Sequence, residues 1–217
     1  MRKQFKHDLV NPFDMDTEMI DGKRFYVLPS GEKFKSVTTL LSERLDKSGI
    51  AKWRQSVGEE KANMIMTQAS NRGTAVHNIA ENYLLNNKDY AKGEMAFNLD
   101  TFNQLKSVLD EHVDDLMGIE IPLYSRTLQC AGRTDLVAHY DGIPTIVDFK
   151  TSKKFKKEEY IEGYLLQSTV YSMMFEYHYK VKIPQIAIII AVDHEYPQVF
   201  VRDRSLYVDR VIEVFKQ

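Results

Sequence analysis

Gly132-Arg133-Thr134-Asp135-Leu136-Val137 and Ile146-Val147-Asp148-Phe149-Lys150-Thr151 decide how this 217-residue chain is read. Both read as strands, and Asp141-Gly142 midway between them supplies a tight hairpin turn. Side chains alternate along a strand, so Asp148 and Lys150 share one face while Phe149 points into the core. Asp135 precedes Asp148 by 13 positions, and pairing of the two strands sets the aspartates close in space. An isolated Asp-x-Lys is more simply a solvated ion pair, worth about 0–1 kcal/mol at a surface. A second aspartate changes that reading. Two carboxylates a few ångströms apart repel unless a cation sits between them. Mg²⁺ and Mn²⁺ favour oxygen-rich shells of this kind.

Outward from this hairpin, the chain shows no internal repeat and no low-complexity linker. Arg24 to Leu28 and Lys33 to Val37 are short β-prone runs around the turn residues Pro29-Ser30-Gly31. Helical spacing covers Val37 to Leu45, Lys47 to Ser56 and Gly58 to Leu85, the last with an expected break near Asn71. A further amphipathic helix is expected from Phe97 to Met117, ending at Gly118. Ile119 to Ser125, Gln129 to Tyr140 and Thr145 to Lys150 then read as a three-strand meander. Glu158 to Tyr179 returns to helix, Pro184 to Val192 and Val199 to Val201 to strand, and Ser205 to Phe215 closes as a helix. The pattern predicts an α/β fold with helices packed on a mixed sheet.

Hydrophobic residues make up 43% and charged residues 28%, ordinary for a globular chain of one domain. No apolar run approaches the roughly 20 residues needed to span a bilayer. The basic start followed by Asp14, Asp16, Glu18 and Asp21 fits neither a signal nor a transit peptide, so a cytoplasmic location is expected. The single cysteine, Cys130, excludes an intrachain disulfide and a four-cysteine metal site. A formal charge of −2 argues mildly against a protein that coats nucleic acid. The distribution offsets this, because Lys150, Lys153, Lys154, Lys156 and Lys157 fall within eight residues. A nuclease built on metal and carboxylates needs acids at its centre and bases along its groove.

Asp135 followed by Asp148-Phe149-Lys150-Thr151-Ser152 resembles the PD-(D/E)xK (restriction-endonuclease-like) nuclease core in its RecB-type form. Arg72-Gly73-Thr74-Ala75-Val76-His77 matches that family's helix carrying Gly-x-x-x-His, and Gln167 with Tyr171 matches its glutamine and tyrosine on the helix after the lysine strand. Within the family the likeness is to the mitochondrial genome maintenance exonuclease group and its small phage-encoded relatives. Their N-terminal segment is similar to Lys35 to Leu41, Ile50 to Arg54 and Val57 to Ala62. The likeness runs from about Gly31 to Ala191. It implies one nuclease domain over 1–217, with an N-terminal hairpin and helical elaboration over about 1–57 and a catalytic core over about 58–217.

The resemblance further implies that Asp135 and Asp148 bind metal, with the Phe149 carbonyl and His77 completing the shell. A histidine ligand suits Mn²⁺ better than Mg²⁺. Lys150 would orient the attacking water and stabilise charge on the phosphate. Gly73 fits a helix backbone that must approach something closely. Glu120 holds metal or water, or simply faces solvent; Glu81 orients His77, or is helix-surface charge. Gln167 and Tyr171 are expected to shape the site, and Arg72, Thr151 and Lys153 to contact phosphates. Several RecB-type relatives carry an iron–sulfur cluster, which one cysteine cannot support.

The implied function is a Mg²⁺- or Mn²⁺-dependent DNA exonuclease preferring single strands with a free end. It would serve replication, repair or recombination, with proteins of those processes as partners and no membrane. A host-cytoplasmic, phage-encoded setting is compatible. A structure-selective endonuclease on the same centre and a catalytically inert DNA-binding subunit remain alternatives. A metalloenzyme acting on something other than DNA has no nucleotide or sugar motif to recommend it.

Overall fold

The computed structural model describes residues 2–216. Its centre is the meander of β4 (Val113–Ser125), β5 (Cys130–Tyr140) and β6 (Ile143–Ser152). The β5–β6 turn is Asp141-Gly142, with φ of 50° and 79° and Tyr140 opposite Ile143. Positive φ at both central residues is what a two-residue hairpin demands, and Gly142 meets it without steric cost. β7 (Gln185–Val192) lies parallel to β6, and β8 (Gln198–Asp203) runs antiparallel beyond it. At the other edge, β1 (Asp16–Ile20), β2 (Lys23–Val27) and β3 (Lys33–Ser36) form an antiparallel run that joins the sheet by parallel pairing of β3 with β5. The result is an eight-stranded mixed sheet, ordered β1-β2-β3-β5-β6-β7-β8 with β4 pairing β5.

Helices cover both faces, and the strands show why. Along β5 to β7, Val137, Ile146, Ile186, Ile188 and Ile190 face one apolar cluster. Leu136, Val147, Phe149, Ala187 and Ile189 face another. Strands apolar on both sides must be buried on both sides. On the first face lie α1 (Val37–Arg44), α5 (Glu162–Tyr179) and α6 (Ser205–Phe215); on the second lie α3 (Glu59–Leu84) and α4 (Ala96–His112). Ser36 caps α1, its hydroxyl accepting from the Thr39 amide at 3.0 Å, so β3 passes directly into the helix. Phe102 and Phe175 are fully buried, each worth about 1.5–3 kcal/mol of transfer free energy. α2 (Ser48–Val57) buries no residue. Among the described residues, no helix is long and apolar enough to cross a membrane.

The α/β class and the mixed sheet flanked by helices agree with the sequence reading; several boundaries do not. α4 ends at His112 rather than Met117, and β4 begins at Val113 rather than Ile119. β4 pairs β5 through register shifts between Asp114 and Leu116 and again between Leu116 and Gly118, with Asp115 at φ 41°. These bulges let Val113, Leu116 and Met117 all be buried, a spacing that imitates a helix turn. α3 runs unbroken through Asn71. The segment Glu158–Tyr160 is a 3₁₀ turn ahead of α5 rather than its first turn. β1 has no counterpart in the sequence reading; as an edge strand it is mostly exposed and shows no alternation.

Candidate metal centre

The β5–β6 ladder stops at Leu136 opposite Val147. Beyond that point β5 pairs β3 and β4, while β6 continues against β7 alone, so the sheet forks. The fork leaves the Phe149 amide without a strand partner, and the Asp135 carboxylate accepts its hydrogen bond at 2.7 Å. Asp135 and Asp148 are the residues just past the last paired positions. By strand alternation Asp148 and Lys150 turn to the α5 face. Asp148 is 2% exposed, with Lys150 Nζ 2.5 Å from its Oδ2 and the Gln167 amide donating to its Oδ1 at 3.1 Å. The Lys150 ammonium also lies 4.9 Å from the centre of the Tyr164 ring.

His77 reaches the fork from α3 on the other face. Its Nδ1 lies 3.3 Å from Asp135 Oδ1, and its Nε2 is 2.9 Å from the Phe149 carbonyl, to which the ring N–H donates. Donor atoms of His77, Glu120 and Asp135 all fall within 4.8 Å of one another, a set that could hold a divalent cation. Glu120 gets there because β4 takes a left-handed turn at that residue, φ 49°, between the pairs Ile119–Leu136 and Ile121–Thr134. A non-glycine residue held there is uncommon in a strand and aims its side chain out of the regular alternation.

The charges are coupled. Burial lifts the Glu120 carboxyl to about 7, with the Asp135 charge adding to it. Burial likewise lifts Asp148 to about 6, against the pull of Lys150. Burial alone would push the His77 imidazole down, but Asp135 overrides it and raises the ring to about 9. Asp135 is held below the usual carboxylate range, its burial outweighed chiefly by His77. The raised imidazole of His77 thus offsets part of the negative charge of the acids around it. The residues fit a metal on two counts. His77 gives one ring N–H to a backbone carbonyl and turns the other nitrogen to Asp135, the arrangement that orients a metal-ligating histidine. Glu120 and Asp135 converge on that histidine, two carboxylates whose mutual repulsion a cation would relieve.

A cleft of about 570 Å³ opens on the fork, lined among others by Gly73, Glu81, Glu120, Asp135, Lys150, Gln167 and Tyr171. Arg24 and Arg133 also line it, and neither pairs with an acid among the described residues. The remaining residues singled out from the sequence take different places. Glu81 faces the cleft near Glu120, whose carboxyl it helps to raise, instead of bonding the His77 ring. Arg72 is tied to Asp193 at 2.6 Å, with both side chains largely buried. Alternation turns Thr151 to the Phe149 side, away from Lys150, and Lys153 lies exposed beyond the strand. Beyond its own helix, nothing lies within 4 Å of where a Cβ would stand at Gly73, which opens on the cleft; at the site, the close approach is at Gly132 instead. A Cβ there would meet the Tyr171 hydroxyl and stand 2.8 Å from Cε1 of its ring. Sequence reading missed Gly132, Arg24, Arg133 and the contact of Tyr164 with Lys150. Tyr164, Gln167 and Tyr171 do stand at i, i+3 and i+7, the spacing of one helix face.

No family model matches the chain. No curated protein matches it. Among solved structures, a provisionally assigned exonuclease from Eubacterium rectale is similar at a TM-score of 0.41 and 15% identity, over 67% of this chain and 68% of that one.

Proposed function

We propose that the chain is a metal-dependent deoxyribonuclease of the PD-(D/E)xK superfamily, RecB-type, acting as an exonuclease on single-stranded DNA with a free end. The observation that carries this reading is the juxtaposition at the fork: His77, Glu120 and Asp135 within 4.8 Å of one another, beside the buried Asp148–Lys150 pair. His77, Asp135 and Glu120 would hold the cation, with Asp148, paired to Lys150, and the Phe149 carbonyl lying at the same edge. A bound Mg²⁺ or Mn²⁺ would neutralise charge on the scissile phosphate and acidify a water. The imidazole favours Mn²⁺.

The chain's own groups do the rest. Lys150 places an ammonium at the cleft wall, able to orient the attacking water and hold phosphate charge. Gln167 and Tyr164 fix the Asp148–Lys150 pair from α5. Arg24 and Arg133 offer unpaired cations for neighbouring phosphates, a role Arg72 fills poorly while bound to Asp193. No covalent enzyme intermediate is needed. The cleft is bounded by the β1–β2 hairpin on one side and α3 on the other, which suits a single strand better than a stiff duplex.

The test is degradation of end-labelled linear single strands, linear duplex and closed single-stranded circles, with Mn²⁺ and with chelator. Linear single strands should be degraded only with metal, and circles should persist. Nicking of the circle as fast as the linear strand disappears would replace the exonuclease with a structure-selective endonuclease. Inertness on every form would leave a DNA-binding subunit.

A further inference from the structure

Ser152 at the end of β6 lies opposite Val192 at the end of β7, and the Asp193 amide donates to the Ser152 carbonyl at 2.9 Å. Two loops, 153–157 and 193–197, therefore leave these parallel strands side by side, at the strand end that carries Lys150. In open α/β sheets the crevice beyond the carboxyl ends of parallel strands is where ligands bind. Here that edge displays two aromatic rings, Phe155 (43% exposed) and Tyr196 (70% exposed), in contact at 5.0 Å between centroids and 45° between planes. Such rings in water leave a large apolar face unsatisfied, and Pro197 stiffens the backbone behind Tyr196.

The same edge is positively charged. Lys153, Lys154 and Lys156 are exposed and make no ion pair among the described residues, unlike Lys3, Lys6, Lys23, Lys33, Lys35 and Lys106 elsewhere. On the second loop Asp193 is neutralised by Arg72, which leaves Glu195 as the opposing charge, and three lysines outweigh it. The lysine loop is also pinned: the Lys156 amide donates to Gln198 Oε1 at 2.6 Å and the Gln198 amide returns to the Lys156 carbonyl at 3.0 Å. A fixed aromatic pair flanked by unpaired lysines matches how single-stranded nucleic acid is held, with bases on π-faces and phosphates on ammonium groups. Duplex DNA hides its base faces and cannot use the rings.

We infer that Phe155 and Tyr196 form a stacking platform for unpaired bases of the strand leading to or from the Lys150 centre, with Lys153, Lys154 and Lys156 holding its phosphates. The platform rests on the nuclease reading, because its loop continues from the end of the strand that carries Lys150.

Anisotropy of a fluorescein-labelled 20-mer of oligo-dT, titrated with protein in EDTA so that nothing is cut, tests it. Phe155→Ala/Tyr196→Ala should bind about tenfold or more weakly, while Tyr196→Phe, which keeps its ring, should bind like wild type. Lys153→Gln/Lys154→Gln/Lys156→Gln should reduce the slope of log affinity against log salt by about 2, at roughly 0.7 per phosphate contact on single strands. All five positions are exposed, so unchanged melting temperatures check folding. If wild type binds and the aromatic double variant binds within twofold of it, the platform is overturned and the nuclease reading stands. If wild type neither binds the oligonucleotide nor degrades it with Mn²⁺, both are overturned.

Discussion

Lys150 and Asp148 are each other's counterion in a site with little water, so changing one of them does two things at once. Lys150→Met removes the ammonium proposed to serve hydrolysis and leaves a buried carboxylate unpaired, a loss of about 3–5 kcal/mol. Cleavage should vanish and melting at pH 8 should fall. At pH 5 much of the loss should be recovered, because Asp148 already sits near 6 and takes up a proton once its partner is gone. Glu120 gives a second test with the opposite sign. Its folded pKa of about 7 stands above the ordinary 4.5, so the folded state binds the proton more tightly than the unfolded state. The carboxylate therefore costs nothing below about pH 4.5, and its penalty grows through pH 7 and is constant above. Glu120→Gln should raise metal-free melting at pH 8, leave it unchanged at pH 4.5, and weaken the stabilisation Mn²⁺ gives. Equal melting curves at pH 8 would remove Glu120 from the charge cluster. Gly132 is tested by packing. Gly132→Ala drives a methyl into Tyr171, at a cost of about 1–3 kcal/mol, and displaces the α5 face that holds Asp148. Denaturant melts of the variant should show that loss, and Gly132→Ala/Tyr171→Phe, which removes the nearest clashing atom, should recover part of it.

At the scale of elements, what the sequence could reveal depended on whether one physical signal dominated. Asp141-Gly142 between two apolar runs admits few alternatives, and the hairpin formed where that dipeptide stands. The α4–β4 boundary was hidden because Leu109, Val113, Leu116 and Met117 keep helical spacing while two bulges erase the strand's period of 2. Glu120 was legible as a candidate for metal or solvent, but its approach to Asp135 was not, because it depends on a left-handed residue that no local motif announces. β1 gave no signal because an exposed edge strand has no face to bury. In α3, apolar spacing continues along 26 residues, but Ala62 is the one buried position of its first half, whereas Val76, Ile79, Ala80, Tyr83 and Leu84 are buried in its second. Met64 and Met66 in the first half are 54% and 48% exposed. Amide hydrogen exchange should therefore be faster over 59–71 than over 75–84, with His77 inside the protected part. Uniform protection along the helix would contradict this division.

For the molecule as a whole, a net charge of −2 conceals a division of labour. Acids gather at the fork, arginines with no acidic partner among the described residues line the cleft, and lysines likewise unpaired stand beyond the end of β6. The mixed sheet makes this possible by splitting between β5 and β6, so that α3 delivers His77 from one face while α5 steadies Asp148 and Lys150 on the other. The central claim is that this fork hydrolyses phosphodiester bonds with a divalent cation. Its most direct measurement is the rate at which wild type, Asp135→Asn and Lys150→Met release nucleotides from a 5′-labelled linear single strand, with Mn²⁺ and with EDTA. Wild type should release nucleotides only with Mn²⁺, and each variant should lose at least a hundredfold, about 2.7 kcal/mol of activation free energy or more. Metal-independent release, or either variant cutting at near wild-type rate, would contradict the claim.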